Sequence, residues 1–246
     1  MKRRHAFIFA LAITLIMAVN AFLFSIDLSP SREKVKISRI IDGDTLELED
    51  GRKIRFLNIN SPEKNQPGHE LAIDYLKNYE NKTLEIEVTG MDKYDRTLAR
   101  IYTPDYLNLE LVKKGFASKF LVEDSELEIF ADAEKEAIKK SLGIWRKSIY
   151  YSCIDSNINE KDEYVIIENN CNKVNISSWI LKDESRKIYQ FQNIEIGRVI
   201  LHTSYGKDNE TDLFWNFETS VWNNDRDSLY LFDKESNIAN YNSYGY

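Results

Sequence analysis

A surplus of positive charge is missing from this sequence. Its 246 residues hold 33 Lys and Arg against 40 Asp and Glu. The first 26 residues contain Lys2, Arg3 and Arg4 but no acid, so the remainder carries 30 bases against 40 acids. That balance excludes a protein that coats nucleic acid through a broad basic surface; phosphate chemistry here must rest on a few placed cations and a metal. Cysteine is scarce too, with only Cys153 and Cys171. Two such residues fit one disulfide across a short loop in an oxidising compartment, and equally two reduced, buried thiols. Helical periodicity is absent from Glu163 to Tyr246, which excludes a helical second half. No oligomerisation signal is visible, and the chain reads as a monomer.

What is present begins at the N-terminus. After Met1-Lys-Arg-Arg-His5, the 21 residues from Ala6 to Ile26 are interrupted only by Thr14, Asn20 and Ser25. At about 1.5 Å per residue such a helix spans a hydrocarbon core of roughly 30 Å. Residues 1–26 are therefore expected to be a signal anchor or signal peptide, meeting the membrane through residues 6–26. The basic end stays in the cytoplasm, which sends the rest outside. If Val19-Asn20-Ala21 is cleaved, the protein is secreted instead.

A polar tether, 27–34, leads into a strand-rich stretch. Val35-Lys-Ile-Ser-Arg-Ile alternates, Asp42-Gly43 and Asp50-Gly51 mark turns, and Lys53 to Ile59 starts a third strand. Helices are expected near His69–Tyr79, Leu107–Lys114 and Ser125–Lys140, with strands over Thr83–Thr89 and Thr97–Tyr102. Five short strands with two or three helices suit an OB-fold barrel over 35–150. After a linker, 151–161, short strands recur about every ten residues and predict a β-sandwich over 162–246. The fold class is thus mainly β with some α, preceded by one hydrophobic helix.

Three patches of the first domain bear chemistry. Asp42-Gly-Asp-Thr45 places Asp44 just past a tight turn, Arg55 to Glu63 ends a strand in a polar cluster before Pro62, and Asp92-Lys-Tyr-Asp-Arg96 puts an arginine at another turn. Oxygen ligands from Asp44 and Asn60 suit a hard cation such as Ca²⁺. Two arginines can stabilise charge developing on a phosphate, and Glu63 can orient or deprotonate a water. Each patch also has a plain structural explanation: a common turn, a helix start, a surface ion pair.

Taken in order, these patches resemble the staphylococcal nuclease (thermonuclease) family. The likeness continues through Asn108-Leu-Glu-Leu-Val-Lys-Lys-Gly-Phe-Ala and closes at Ala137 to Trp145, covering roughly residues 35–147. The resemblance implies that Asp44, Asn60 and the Ser61 carbonyl hold Ca²⁺. It also implies that Arg55 and Arg96 grip the scissile phosphate and that Glu63 activates the attacking water. DNA and RNA would both be cut, leaving 3′-phosphates. Three departures stand out. Asn60 replaces the family's second metal-ligating Asp, Asp95 occupies a position commonly Gly, and Phe120-Leu-Val-Glu123 stands where the best-known members carry base-covering tyrosines. Tyr94 alone keeps an aromatic beside the pocket for substrate.

The second domain resembles a lamin-tail domain, an immunoglobulin-like sandwich, on Glu163-Tyr-Val-Ile-Ile-Glu-Asn-Asn, Val174-Asn-Ile-Ser-Ser-Trp-Ile-Leu-Lys-Asp, Ile196-Gly-Arg-Val-Ile-Leu and Val221 to Asp233. Residues 160–246 hold 9 bases and 15 acids, which argues against a DNA clamp and for a protein or cell-surface ligand. Trp179, Trp215 and Trp222 are expected in the core rather than in a ligand cage. The competing reading of the whole chain is an OB-fold and lamin-tail binding module at the cell surface whose catalysis has decayed, with Asn60 as its sign. Arg55, Glu63 and Arg96 occurring together favour the enzyme.

Overall fold

The computed structural model describes Met17 and residues 31–246, so the predicted hydrophobic segment over 1–26 lies outside the described residues. Among the described residues no helix is long and apolar enough to cross a membrane. Lys34–Tyr246 pack as one compact unit.

In β1 (Glu33–Asp42), Val35 and Ile37 are buried while their neighbours face solvent, the period of two expected of a half-buried strand. It joins β2 (Thr45–Leu48), β3 (Lys53–Phe56), β5 (Thr83–Met91) and β6 (Thr97–Tyr102) in a closed barrel of order β1-β2-β3-β6-β5. Closure removes every free edge, and Ile37, Leu46, Ile54, Phe56, Ile86 and Ile101 fill the interior. The predicted third strand breaks after Phe56, because Asn58 takes a left-handed φ of 67°. It resumes as β4 (Ile59–Asn60), which pairs with β7 (Ser118–Lys119) rather than with the barrel.

Among the described residues three α-helices cover the barrel: α1 (His69–Leu76), α2 (Leu107–Lys113) and α3 (Leu127–Lys139). Each falls inside its predicted span and is shorter. The last turn of the first prediction is a 3₁₀ turn, Lys77–Tyr79, and the start of the third is another, Asp124–Glu126. Asn108, on α2, is fully buried and ties the barrel wall. Its amide donates to the Leu57 and Ala99 carbonyls, and its Oδ1 accepts the Ile101 N–H.

The predicted linker is largely a strand. β8 (Ile154–Asn159) pairs along its whole length with β9 (Tyr164–Asn169), and a Cys153–Cys171 disulfide, with Cα atoms 5.3 Å apart, closes the open end of that hairpin. Polar composition concealed it: Asp155 and Asn157 face outward while Ile154 is buried and Ser156 shares its face. The remaining strands are β10 (Val174–Asn175), β11 (Ile180–Lys182), β12 (Ile188–Gln190), β13 (Glu195–Ile196), β14 (Arg198–His202), β15 (Asp212–Phe214), β16 (Asp227–Phe232) and β17 (Ile238–Tyr244). β10 pairs with β13, and the others, with β8 and β9, build two four-stranded sheets, β12-β11-β16-β17 and β15-β14-β9-β8, whose facing apolar residues form one core. Trp179, Trp215 and Trp222 are buried in that core, as expected.

Barrel and sheets are bolted together. Trp145 stacks on Tyr230 with ring centroids 5.3 Å apart, inside a cluster with Ala137, Ile138 and Ile238. The Ser148 N–H donates to the Ile238 carbonyl, and the Ile238 N–H to that of Arg146. Beneath them Lys119 and Glu134, both fully buried, pair at 2.7 Å, and Lys119 also donates to Ser228 of β16. Burial alone would lower the Lys119 pKa, but the Glu134 carboxylate overrides it and holds the ammonium above its ordinary value.

Candidate active site

Asp44 sits at the end of the β1–β2 turn. Asp42 closes the ladder opposite Thr45, and Gly43 bridges them. A Cβ on Gly43 would lie 2.6 Å from the Ala72 Cβ and 2.7 Å from the Ser61 Cβ, so only glycine lets this turn lie against α1 and Ser61. The Asp44 carboxylate is buried and fully engaged. One oxygen accepts the Ser61 N–H at 2.8 Å; the other accepts the Thr45 hydroxyl and lies 3.2 Å from Arg55 Nε. Asp42, which sequence reasoning treated as part of a turn, belongs to the site as well: its Oδ1 accepts the Asp44 N–H at 2.9 Å. Burial first, and then the Asp44 charge, raise its pKa above the usual carboxylate range.

Arg55 projects from β3 into the same pocket and is buried. Besides Asp44, its guanidinium donates to the Phe56 carbonyl, to the Ile59 carbonyl at 2.8 Å and to Asn60 Oδ1 at 3.1 Å. Desolvation lowers its pKa, opposed by Asp44 and reinforced by Arg96 and Arg186. Asn60 and Ser61 are buried where β4 ends. Glu63, beyond Pro62, is half exposed, and its N–H is capped by Gln66 Oε1 at 2.9 Å.

Arg96 stands across the turn Asp92–Arg96. Asp92 organises that turn, accepting the Tyr94 and Arg96 N–H groups and, at 2.7 Å, Arg96 Nε. Asp95 takes a left-handed φ of 59°, which explains why a glycine suits this position and why a short polar side chain can replace it. Arg96 Nη1 reaches 3.5 Å from the Thr45 hydroxyl, which ties it to Asp44, and the exposed Tyr94 ring lies 5.6 Å from its guanidinium. Four of the predicted residues, joined through Thr45, thus form one run of polar contacts, Arg96–Thr45–Asp44–Arg55–Asn60.

Besides Asp42, sequence reasoning missed Arg186. It lies between β11 and β12, in a stretch to which no chemistry was assigned, and no local pattern announces it. Its Nη1 pairs with the Glu63 carboxylate, its Nη2 bonds Asn60 Oδ1, and Nη2 lies 3.7 Å from Asp44 Oδ2. Nearby, the stretch 120–123 is held by the second half too: the Leu121 N–H donates to Glu184, and Arg226 to the Val122 carbonyl.

Asp44, Asn60 and Glu63 offer only oxygen atoms, and all three face a cation, so in kind the donors fit a hard metal such as Ca²⁺. In number they are few. Among the described residues no group of three or more His, Cys, Asp or Glu is arranged to hold a metal.

Residues 53–147 match the family described as staphylococcal nuclease homologue. The chain is 31% identical over 116 residues to an uncharacterized endonuclease of Escherichia coli O157:H7, covering 45% of this chain and 75% of that one. It is 33% identical over 130 residues to a thermonuclease of Staphylococcus intermedius, covering 47% and 77%. An uncharacterized endonuclease of Haemophilus influenzae is 34% identical over 131 residues, covering 50% and 73%. With the closed barrel and the run of contacts from Arg96 to Asn60, these likenesses make the chain a member of the staphylococcal nuclease homologue family.

Proposed function

We propose that the chain is an endonuclease hydrolysing phosphodiester bonds of DNA, RNA or both, leaving 3′-phosphate ends. The observation that carries this reading is the run of contacts linking Arg96, Asp44, Arg55 and Asn60 beside Glu63. A phosphate entering beside Thr45 meets Arg96 from one side and Arg55 from the other. Their fixed guanidinium groups neutralise charge as the attacked phosphorus gains a fifth oxygen. Glu63, at the exposed mouth, takes the proton of the attacking water. Asp44, Asn60 and the Ser61 carbonyl would hold a Ca²⁺ ion, which when bound polarises the phosphoryl oxygen. Tyr94 offers a ring to the substrate beside Arg96.

The remaining parts of the reading concern place and partner. Residues 1–26 export the chain and anchor it, or are cleaved, leaving both folded parts outside the cytoplasm; the disulfide suits such a compartment. The second half is read as a lamin-tail-like sandwich that takes a protein or cell-surface ligand. Asn60, with one negative charge fewer than an aspartate, favours the competing reading of a weak or lost catalyst.

The full chain should nick plasmid DNA or cleave RNA with Ca²⁺, and chelator or Glu63→Gln should reduce the rate by about a hundredfold or more. Equal inertness of wild type and Glu63→Gln across a wide Ca²⁺ range would sink the enzyme reading.

A further inference from the structure

The cation that faces Asp44, Asn60 and Glu63 belongs to the chain itself. Arg186 touches the oxygens assigned above to a divalent ion and to the attacking water. We infer that Arg186 sets the divalent-cation affinity of this site, its guanidinium and a divalent ion competing for the same oxygens of Asp44, Asn60 and Glu63. The inference rests on reading those three residues as the working site.

Arg186 is delivered by a stiff turn. Asp183, fully buried, accepts the Lys187 N–H at 2.7 Å, the Lys187 ammonium at 2.9 Å and the Ser185 hydroxyl. The Glu184 N–H donates to Asp227, while its carboxylate accepts the Leu121 N–H from the barrel side and the Ser228 hydroxyl from β16. The tip of the turn is therefore held from both halves of the molecule. Arg186 itself has a left-handed φ of 76°, which its side chain does not favour and its contacts must hold in place.

Charge and space both argue for exclusion. Asp44 and Glu63 supply two negative charges, and Arg55 and Arg186 supply two positive ones in direct contact. A divalent ion added to that set would face uncompensated like charge within a few ångströms. An ion at about 2.3–2.6 Å from Asn60 Oδ1 and Asp44 Oδ2 would have to share Asn60 Oδ1 with Arg186 Nη2, which bonds it and lies 3.7 Å from Asp44 Oδ2. Arg186 must leave for the ion to enter. The second half thereby sets how much divalent cation the site requires.

The test is Ca²⁺ binding without substrate, measured by calorimetric titration of the full chain. Arg186→Gly removes the guanidinium and accepts the left-handed φ, so its backbone is relieved rather than strained. It should bind Ca²⁺ at least tenfold more tightly than wild type, with Arg186→Lys in between. Arg198→Ala, which removes an equal charge at its exposed pair with Glu168, should leave affinity within twofold. An Arg186→Gly affinity within twofold of wild type, or a matching gain in Arg198→Ala, would overturn the inference. If affinity rises while no variant cuts nucleic acid, the nuclease reading fails and the competition stands. If affinity is unchanged while Glu63→Gln abolishes cutting, the reverse holds.

Discussion

Arg55 and Arg96 serve the same chemistry from different surroundings, and that difference is measurable. Arg55 is buried, with Asp44 3.2 Å away and three backbone or amide oxygens as acceptors. Arg96 is partly exposed and pairs with Asp92. Removing either should lower kcat by about 10²–10³, the usual effect of losing one charge-stabilising donor. Only Arg55→Ala should also unfold the protein more easily, by about 3–5 kcal/mol, because it leaves the Asp44 carboxylate buried and short of a partner. Parallel kcat and denaturant measurements check this; equal stability losses would show that the burial argument is wrong. Turn signals and strand ends marked the patches that hold Asp44, Asn60, Arg55 and Arg96, and their order along the chain, through the family resemblance, named the residues themselves. Arg186 could not, since its importance comes from what it meets across the fold.

At the scale of elements, the β1–β2 turn and the β16 strand carry the sharpest expectations. Gly43→Ala would set a methyl 2.6 Å from Ala72, pushing the turn off α1 and Asp44 away from Ser61. A loss of about 1–3 kcal/mol should follow, together with most of the activity. Asp227, at the start of β16, is fully buried, and burial pushes its carboxyl up to about 6, although the Asn223, Ser228 and Glu184 N–H groups work the other way. Its folded pKa is raised, so its stabilising contribution is complete below about 3.9 and is lost as pH rises through about 6. Chemical denaturation should show wild type losing on the order of 2 kcal/mol between pH 4 and 7 relative to Asp227→Asn. A pH-independent difference would contradict that assignment. Strand alternation made β1, β5, β6 and β9 legible. The β8 strand stayed hidden because its outward face is Asp and Asn and its inward face is interrupted by Ser156, a composition that reads equally as linker.

For the whole molecule, the barrel and the two sheets share polar as well as apolar contacts. Lys119 of β7 meets Glu134 of α3, Ser228 of β16 and Tyr241 of β17 with no exposed surface of its own. Lys119→Met should strand the Glu134 charge and destabilise by about 3–5 kcal/mol. Lys119→Met combined with Glu134→Leu should recover most of that loss. Both halves should melt in one transition, followed by near-ultraviolet dichroism of Trp145 and Trp222; two separated transitions would show that the shared cluster does not couple them.

Local patterning was enough to suggest the barrel, the three helices among its described residues and the strand-rich second half, because these follow from short-range periodicity and turn chemistry; the candidate residues from Asp44 to Arg96 were named by the ordered resemblance to a family. Tertiary structure alone decided that residues 154–159 form a strand, that Asp42 sits behind Asp44 as a second acid, and that Arg186 faces the same oxygens as the expected metal. The Arg186 contacts join segments more than a hundred residues apart, so no window of sequence contains both partners, whereas the strand depends on pairing with β9 and the Asp42 role on desolvation within its own turn.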